Sequence, residues 1–473
     1  MNSRDIIAIL PLLIVAYAGV VLMLVAAFVR SVKVAYGATL ITLAVAFGMI
    51  FVALPYAPRT VTSFIRIDFY SLLFCAALLA VTFLVTLLSP QYMQARERRG
   101  EAYYILLLFM VTGMVVLACS AHFAAFFVGL ETLSVSLYGL IAYTRRSKFS
   151  LEAAIKYLIM AAVSSAFLLL GIATIYYDSG NLGFAGLSMK GPVTLLGWGL
   201  VLVGFGFKLA WVPFHAWSPD VYQGAPSTIT ALIASGSKAA NYALLLRLMP
   251  MSYLLLQRPA FIALGVIAVA TMTVGNLLAL TENNIKRLLA YSSIAQMGYL
   301  FIPLMSGDWG VSSAIFYLFS YLAAVIAAFG VIAVVSVSRE VGDYENISDY
   351  AGLANRSPWL AGVLALSFLS MLGVPLTAGF FAKFYIFMAA AKAGLWWLFV
   401  VGILNSGMSA FYYLRVVIAL YARSDEHQSS LTTNVTLGSS ISLAICSAIV
   451  VLLGVYPPVL AIITEQAAKW LVW

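Results

Sequence analysis

Four ionisable side chains stand deep inside long apolar runs. Glu131 lies in Gly129-Leu-Glu-Thr-Leu-Ser134, Lys208 in Gly206-Phe-Lys-Leu209, Lys238 in Ser235-Gly-Ser-Lys-Ala239 and Lys383 in Gly379-Phe-Phe-Ala-Lys-Phe384. An ionisable residue at the centre of a membrane span costs at least about 2.5 kcal/mol on insertion scales, so its retention points to function. A dry site disfavours a charged lysine, and a nearby carboxylate favours it again. A row of lysines with one glutamate can therefore pass a proton if the field alternates. That is a proton relay and not a cage for a ligand. The plainer alternative at each lysine is a buried structural ion pair. Lys156 is open to both readings. It lies near the start of its run, four residues after Glu152, which is the spacing of an ordinary helix-surface pair. Its stem could also carry the ammonium to the interface.

These side chains need spans to hold them. Of 473 residues, 63% are hydrophobic and 9% charged, against about half and a quarter in a soluble domain. A span takes about 20 apolar residues. Such runs follow almost end to end, at 5–29, 34–54, 67–89, 101–120, 123–143, 151–177, 193–222, 226–249, 259–280, 285–306, 311–337, 358–391, 395–421 and 434–456. The chain therefore reads as an all-α polytopic membrane protein of about fourteen transmembrane helices, with no room for a soluble catalytic domain.

Two runs are too long for one simple helix. The seventh carries Pro213 with His215 beside it, and the twelfth carries Gly373 and Pro375. Proline removes a backbone donor and clashes with the preceding turn. In lipid, the freed carbonyls must find partners inside the protein or in a wet cavity. His215 either bonds such a carbonyl or serves the site directly. Paired helix breaks are the usual sequence pointer to a transporter with internal repeats. Units covering spans four to eight and nine to thirteen put each break fourth in its unit, and an odd number of spans inverts the second unit. The expected division is 1–100 for spans one to three, 101–250 for the first repeat, 251–425 for the second, inverted repeat, and 426–473 for the last span and tail.

The formal charge of +9 does not imply nucleic acid, because the basic residues cluster in short loops. Odd-numbered loops carry Arg30, Lys33, Arg96, Arg98, Arg99, Arg145, Arg146, Lys148, Lys286, Arg287, Arg339, Arg356 and Arg423. Even-numbered loops carry Arg59, Arg66, Lys190, Arg258 and Lys392. The positive-inside rule puts the odd loops in the cytoplasm and both termini on the other side. Cys75, Cys119 and Cys446 each lie in an apolar run without a ligand spacing and read as packing residues. The N-terminus runs straight into an apolar stretch without a clear cleavage site, so the first span is expected to be retained. No dinucleotide fingerprint, Walker A motif or paired-His metal signature occurs. Any nucleotide, flavin or iron–sulfur chemistry is expected in partner proteins.

The stretch Gly206-Phe-Lys-Leu-Ala-Trp-Val-Pro-Phe-His-Ala-Trp-Ser-Pro-Asp-Val-Tyr-Gln-Gly-Ala-Pro226 resembles the subunit N family of antiporter-like membrane-arm subunits in bacterial respiratory complex I, the proton-translocating NADH:quinone oxidoreductase. Ser150-Leu-Glu-Ala-Ala-Ile-Lys-Tyr157, Asn284-Ile-Lys-Arg-Leu-Leu-Ala-Tyr-Ser-Ser293 and Gly373-Val-Pro-Leu-Thr-Ala-Gly-Phe-Phe-Ala-Lys-Phe384 support it. The Asn-Ile-Lys-Arg segment is shared with sister subunits. The resemblance implies two inverted five-helix repeats with helices seven and twelve broken. It implies that Glu131 and Lys156, Lys208, Lys238 and Lys383 are the relay residues of helices five, six, seven, eight and twelve. It also implies other complex I subunits as partners, with FMN and iron–sulfur clusters in those partners and none in this chain, and a bacterial inner membrane as location. With only Pro457 to Trp473 after the last span, the long lateral-helix extension of the larger subunit L is not expected here. Two alternatives are a subunit of a multi-subunit cation/proton antiporter and a structural spacer of the membrane arm.

Overall fold

The structure, a computed structural model, describes residues 2–97, 100–187, 191–248, 258–339, 341–422 and 435–471. Arg98, Arg99, Lys190 and Arg423 lie outside them. Among the described residues, twelve helices are long and apolar enough to cross a membrane, and two shorter apolar ones head broken spans. In chain order these are α1 (Ser3–Phe28), α2 (Val32–Ala53), α3 (Phe69–Gln94), α4 (Glu101–Cys119), α5 (Phe123–Ile141) and α6 (Lys148–Ser179). Next comes α7, broken into α7a (Pro192–Lys208) and α7b (Trp217–Gly224). Then follow α8 (Ser227–Leu248), α9 (Arg258–Thr281), α10 (Ile285–Met305) and α11 (Asp308–Val335). The second broken helix has halves α12a (Pro358–Leu372) and α12b (Ala378–Lys392), and α13 (Trp396–Tyr421) and α14 (Leu437–Val455) complete the spans.

Helix is obligatory in these runs, because only it satisfies every backbone polar group within the segment. The starts are set by side chains that accept from the first free N–H groups. Asp68 caps α3, His122 caps α5, Ser147 caps α6 and Asn284 caps α10.

Two elements were not anticipated. A short antiparallel hairpin, β1 (Arg59–Thr62) with β2 (Ile65–Ile67), joins α2 to α3 in the otherwise helical bundle. A further helix, α15 (Pro458–Ala468), follows α14 and packs against α11 and α3.

Helices α8, α10 and α11 form the buried centre, while α1, α2, α6 and α9 keep much of their surface outward. The packing of the two broken helices recurs. Helix α6 packs along both α7a and α7b, and α11 packs along both α12a and α12b; α4 lies against α5 as α9 does against α10. Ala210 (φ 56°) and Leu376 (φ 70°) are the non-glycine residues with positive φ among the described residues, and one falls in each break. Left-handed backbone at a residue with a Cβ costs of order 1–3 kcal/mol and gathers at functional sites. At the second break, Gly373 (φ 92°) ends α12a. A Cβ on Gly379 would overlap the Ser370 carbonyl at 1.7 Å, so only glycine lets the two half-helices approach so closely.

Arg96 and Lys286, counted above as loop charges, are buried. Asp343, in the segment after α11, accepts from Lys286 Nζ (2.8 Å), Arg96 Nη2 (2.9 Å), the Tyr92 hydroxyl (2.8 Å) and Ser227 Oγ (2.6 Å). The Lys286 and Arg96 charges hold the Asp343 carboxyl down at about 2 against the cost of burial. At the opposite end of α3, Asp68 takes a two-pronged pair from Arg247 on α8 at 2.8 and 3.0 Å, with Arg66 alongside at 3.1 Å. Charge facing charge, with further hydrogen bonds, offsets the desolvation cost that either partner alone would meet.

Cys75, Cys119 and Cys446 are buried and free. The Sγ atoms of Cys75 and Cys119 approach to 3.5 Å. Among the described residues, no three of His, Cys, Asp and Glu stand together as a metal site would need.

Candidate functional site: a row of buried lysines

The first lysine is Lys208, the last residue of α7a. Its ammonium donates to Ser134 Oγ at 2.8 Å and lies 5.8 Å from the Tyr157 ring centre. Ser134 stands three residues after Glu131, so both project from one face of α5. Glu131 is half-buried and accepts from Ser165 Oγ on α6 at 2.6 Å. It makes no ion pair among the described residues, but it lies near enough to Lys208 to act on it electrostatically. The carboxylate thus reaches Lys208 through space, with Ser134 as the hydrogen-bonding neighbour.

In the α7 break, Trp217 Nε1 donates to the Phe207 carbonyl at 2.9 Å, so an indole takes up one carbonyl that the lost turn would leave open. His215 leans on the Pro213 carbonyl, as a helix break invites, while its Nδ1 is buried without a partner among the described residues. Both readings of His215 therefore keep an observation in their favour.

The second lysine, Lys238, is 1% exposed and follows a π-helical turn at Ile233–Ser237. Such turns cluster at functional sites. Its ammonium donates to Ser293 Oγ on α10 at 2.6 Å. Ser293 also meets the hydroxyls of Tyr321 (2.8 Å) and Tyr222 (3.2 Å). Tyr222 belongs to α7b, and one turn earlier Ser218 is buried and its hydroxyl faces the Tyr222 side chain. Helix α7b therefore carries hydroxyls from the Lys208 region towards Lys238. The small neighbours Ser235, Gly236 and Ser237 are themselves buried.

From Ser293 the polar thread continues one turn along α10 to Gln296. Gln296 accepts from the Tyr317 hydroxyl and donates to the Tyr413 hydroxyl (3.0 Å) and the Met371 carbonyl (3.1 Å). Lys383 takes the next carbonyl. Its ammonium donates to Leu372 O at 2.8 Å and Ser406 Oγ at 2.9 Å. Position along α12b would carry Lys383 about 12 Å beyond Pro375 at 1.5 Å per residue. The flexible stem instead returns the ammonium to the break, where it caps the open end of α12a.

Lys156 stands apart. Its ammonium is 2.7 Å from both Glu152 and Asp220, and its side chain is 44% exposed. Asp220 on α7b also pairs with Arg287 at 2.8 Å, which meets Glu282 at 3.2 Å. The helix-surface pair read from spacing is present, and a cross-helix partner is added. Lys156 pairs with Glu152 and Asp220 and not with Glu131, whose field falls on Lys208. Exposed pairs contribute about 0–1 kcal/mol. Lys156→Ala should therefore leave assembly and melting temperature almost unchanged, and any loss of activity in that variant would report function and not folding.

Ser134, Ser165, Tyr222, Ser293, Gln296 and Ser406 were not singled out beforehand. The helical spacing from Glu131 could have pointed to Ser134. For the others, only the folded neighbourhood gives the signal.

Two interrupted helices, each bringing a lysine to its break, with a third lysine in the helix after the first, define the antiporter-like class of membrane proteins. The NADH:quinone oxidoreductase/Mrp antiporter transmembrane family matches residues 120–409. The NADH-quinone oxidoreductase subunit N of Methylococcus capsulatus is 40% identical over 470 residues, covering 97% of this chain and 94% of that protein. The solved structure of respiratory complex I from Thermus thermophilus with bound aureothin contains a chain 32% identical, with a TM-score of 0.82 over 95% of this chain and 98% of its own. A chain of the Mrp complex from Dietzia sp. DQ12-45-1b, 20% identical, shares the fold with a TM-score of 0.87 over 100% and 98%. The chain belongs to the NADH-quinone oxidoreductase subunit N family.

Proposed function

We propose that this chain moves protons across the membrane as an arm subunit of NADH:quinone oxidoreductase, through Glu131, Lys208, Lys238 and Lys383, while electrons move in other subunits. One contrast carries the reading. The lysines of the row are held by neutral oxygens from Ser134, Ser293, Leu372 and Ser406. The other buried cations among the described residues, Lys286, Arg96 and Arg247, are matched to the carboxylates Asp343 and Asp68. A permanently charged group in a dry site needs such a counter-ion. A lysine without one is free to exchange between charged and neutral forms.

In this reading Lys208 receives its field from Glu131, Lys238 joins the two halves, and Lys383 is the exit. A proton gained at one end favours release at the other, because like charges repel. Lys156, between Glu152 and Asp220, is the surface member. The parts 101–250 and 251–425 are the two repeats, with His215, Pro213 and Pro375 shaping the breaks. The partners are the other subunits of the complex, which carry FMN and the iron–sulfur clusters. The location is the bacterial inner membrane, and the basic-residue count supports both termini on the non-cytoplasmic side.

Lys383 gives the test. Lys383→Glu should pump better than Lys383→Ala, because a protonated carboxyl can still donate to Leu372 O and pass its proton on. NADH-driven pumping in membranes, at equal assembly, compares them. Full activity in both variants would remove Lys383 from the relay.

A further inference from the structure

Lys383 borders a cavity of about 20 Å³ that Gln296, Tyr317, Ser320, Tyr321 and Gly379 also line. That is room for about one water molecule. A second cavity, of about 600 Å³, lies farther along the same seam between α11, α12b and α15. Ser312, Ser313, Lys392, Thr464, Glu465 and Lys469 give it a polar wall. Phe316 and Tyr385 form its inner end. Their rings meet edge-on, with centres 4.9 Å apart and planes at 88°.

The register along both helices is continuous. Ser313, Phe316 and Ser320 share one face of α11, and Ala382, Tyr385, Ala389 and Lys392 share one face of α12b. The nine residues from Lys383 to Lys392 span about 14 Å at 1.5 Å per residue. Phe316 is 1% exposed, so the ring pair separates the two cavities with apolar surface. Such a contact gives water nothing to bond to and stops a proton. Tyr385 also places a hydroxyl at this point, and Glu465 lies near enough to act on it electrostatically.

We propose that this seam is the outer half-channel for the proton leaving Lys383, with the Phe316–Tyr385 ring pair as its gate and Glu465 of α15 as the acceptor at its mouth. The inference rests on the relay role of Lys383 stated above. When the rings part, the N–H bond of the Lys383 ammonium breaks as an O–H bond forms on cavity water. The proton passes along water and the Tyr385 hydroxyl to the Glu465 carboxylate. Glu465 then releases it to the vestibule, leaving a neutral Lys383 ready for the next proton.

The test reads access and proton movement separately. Lys383→Cys in the assembled complex is exposed to a membrane-impermeant quaternary-ammonium methanethiosulfonate, from either face of sealed vesicles, with the parent chain as background. Adding Tyr385→Ala should speed labelling from the non-cytoplasmic face at least tenfold and leave the cytoplasmic-face rate unchanged. Phe316→Ala should do the same, since it opens the gap from the opposite helix. Unchanged labelling in both double variants, or acceleration from the cytoplasmic face alone, would overturn the gate. In the otherwise native chain, Glu465→Gln should cut NADH-driven pumping severalfold; full pumping would overturn its role as acceptor. The labelling needs no proton transfer, so an open seam beside an inactive Lys383 would count against the relay and not against the seam.

Discussion

Replacing Lys208 by alanine is expected to cut NADH-driven proton pumping at least tenfold while the complex still assembles. The size of the loss follows from proton transfer by a positioned side chain, which contributes about 10²–10⁴-fold where it is essential. Survival of the fold follows from the partner list. The Lys208 ammonium bonds Ser134 and makes no ion pair among the described residues. Truncation therefore strands no carboxylate, and the penalty for breaking a buried ion pair does not arise. Glu131→Ala should act in the same direction, since Glu131 supplies the negative field at Lys208. Glu131→Gln separates the two roles of that side chain, because the amide keeps an oxygen for Ser165 and loses the charge. Pumping measured by dye quenching, with assembly read on a native gel, settles it. Full pumping in Lys208→Ala, or in both Glu131 variants, would mean that the relay has to be redrawn.

The opposite outcome is expected at Asp343. Asp343→Ala should prevent assembly, or lower the melting temperature of the purified complex sharply. It leaves the buried Lys286 and Arg96 charges facing each other with their shared carboxylate removed, at a cost of about 3–5 kcal/mol. The Tyr92 hydroxyl and Ser227 Oγ lose their acceptor as well. The pH dependence has a definite sign. The Asp343 carboxyl is depressed to about 2 from an ordinary 3.8. Its contribution is therefore complete above pH 4 and is lost as the pH falls from about 4 towards 2. The shift is worth about 2 kcal/mol at neutral pH. A native melting temperature in Asp343→Ala would show that the cluster holds nothing together.

Those two residues mark where the sequence was readable and where it was not. Hydropathy located every span within a few residues, because lipid demands long apolar runs. The two breaks were legible because proline and glycine act locally. Lys208, Lys238 and Lys383 stood out because a charge in an apolar run has few reasons to persist. Asp343 and Lys286 gave no such signal. A charge at the end of a span looks the same whether it faces water or a partner 247 positions away, as Arg96 does. The hairpin β1–β2 and helix α15 are too short to announce themselves by hydropathy. Spacing along α12b located the Lys383 backbone correctly but missed its ammonium, since a four-carbon stem chooses its direction from the polar groups within reach.

The two carboxylate clusters have a mechanical consequence. Helices α3 and α8 run side by side, and each end of the pair is bolted. At one end Arg247 on α8 grips Asp68 at the start of α3. At the other, Ser227 at the start of α8 and Arg96 just past α3 share Asp343. A beam riveted at both ends bears load but has no stroke. Helix α8 therefore cannot work as a piston between the two faces of the membrane without first shearing the buried Arg247–Asp68 ion pair and the buried Ser227–Asp343 hydrogen bond. Lys238 thus rides on a helix tied at both ends, where a lysine stem, a tyrosine hydroxyl or a half-helix at its break can move without breaking those ties.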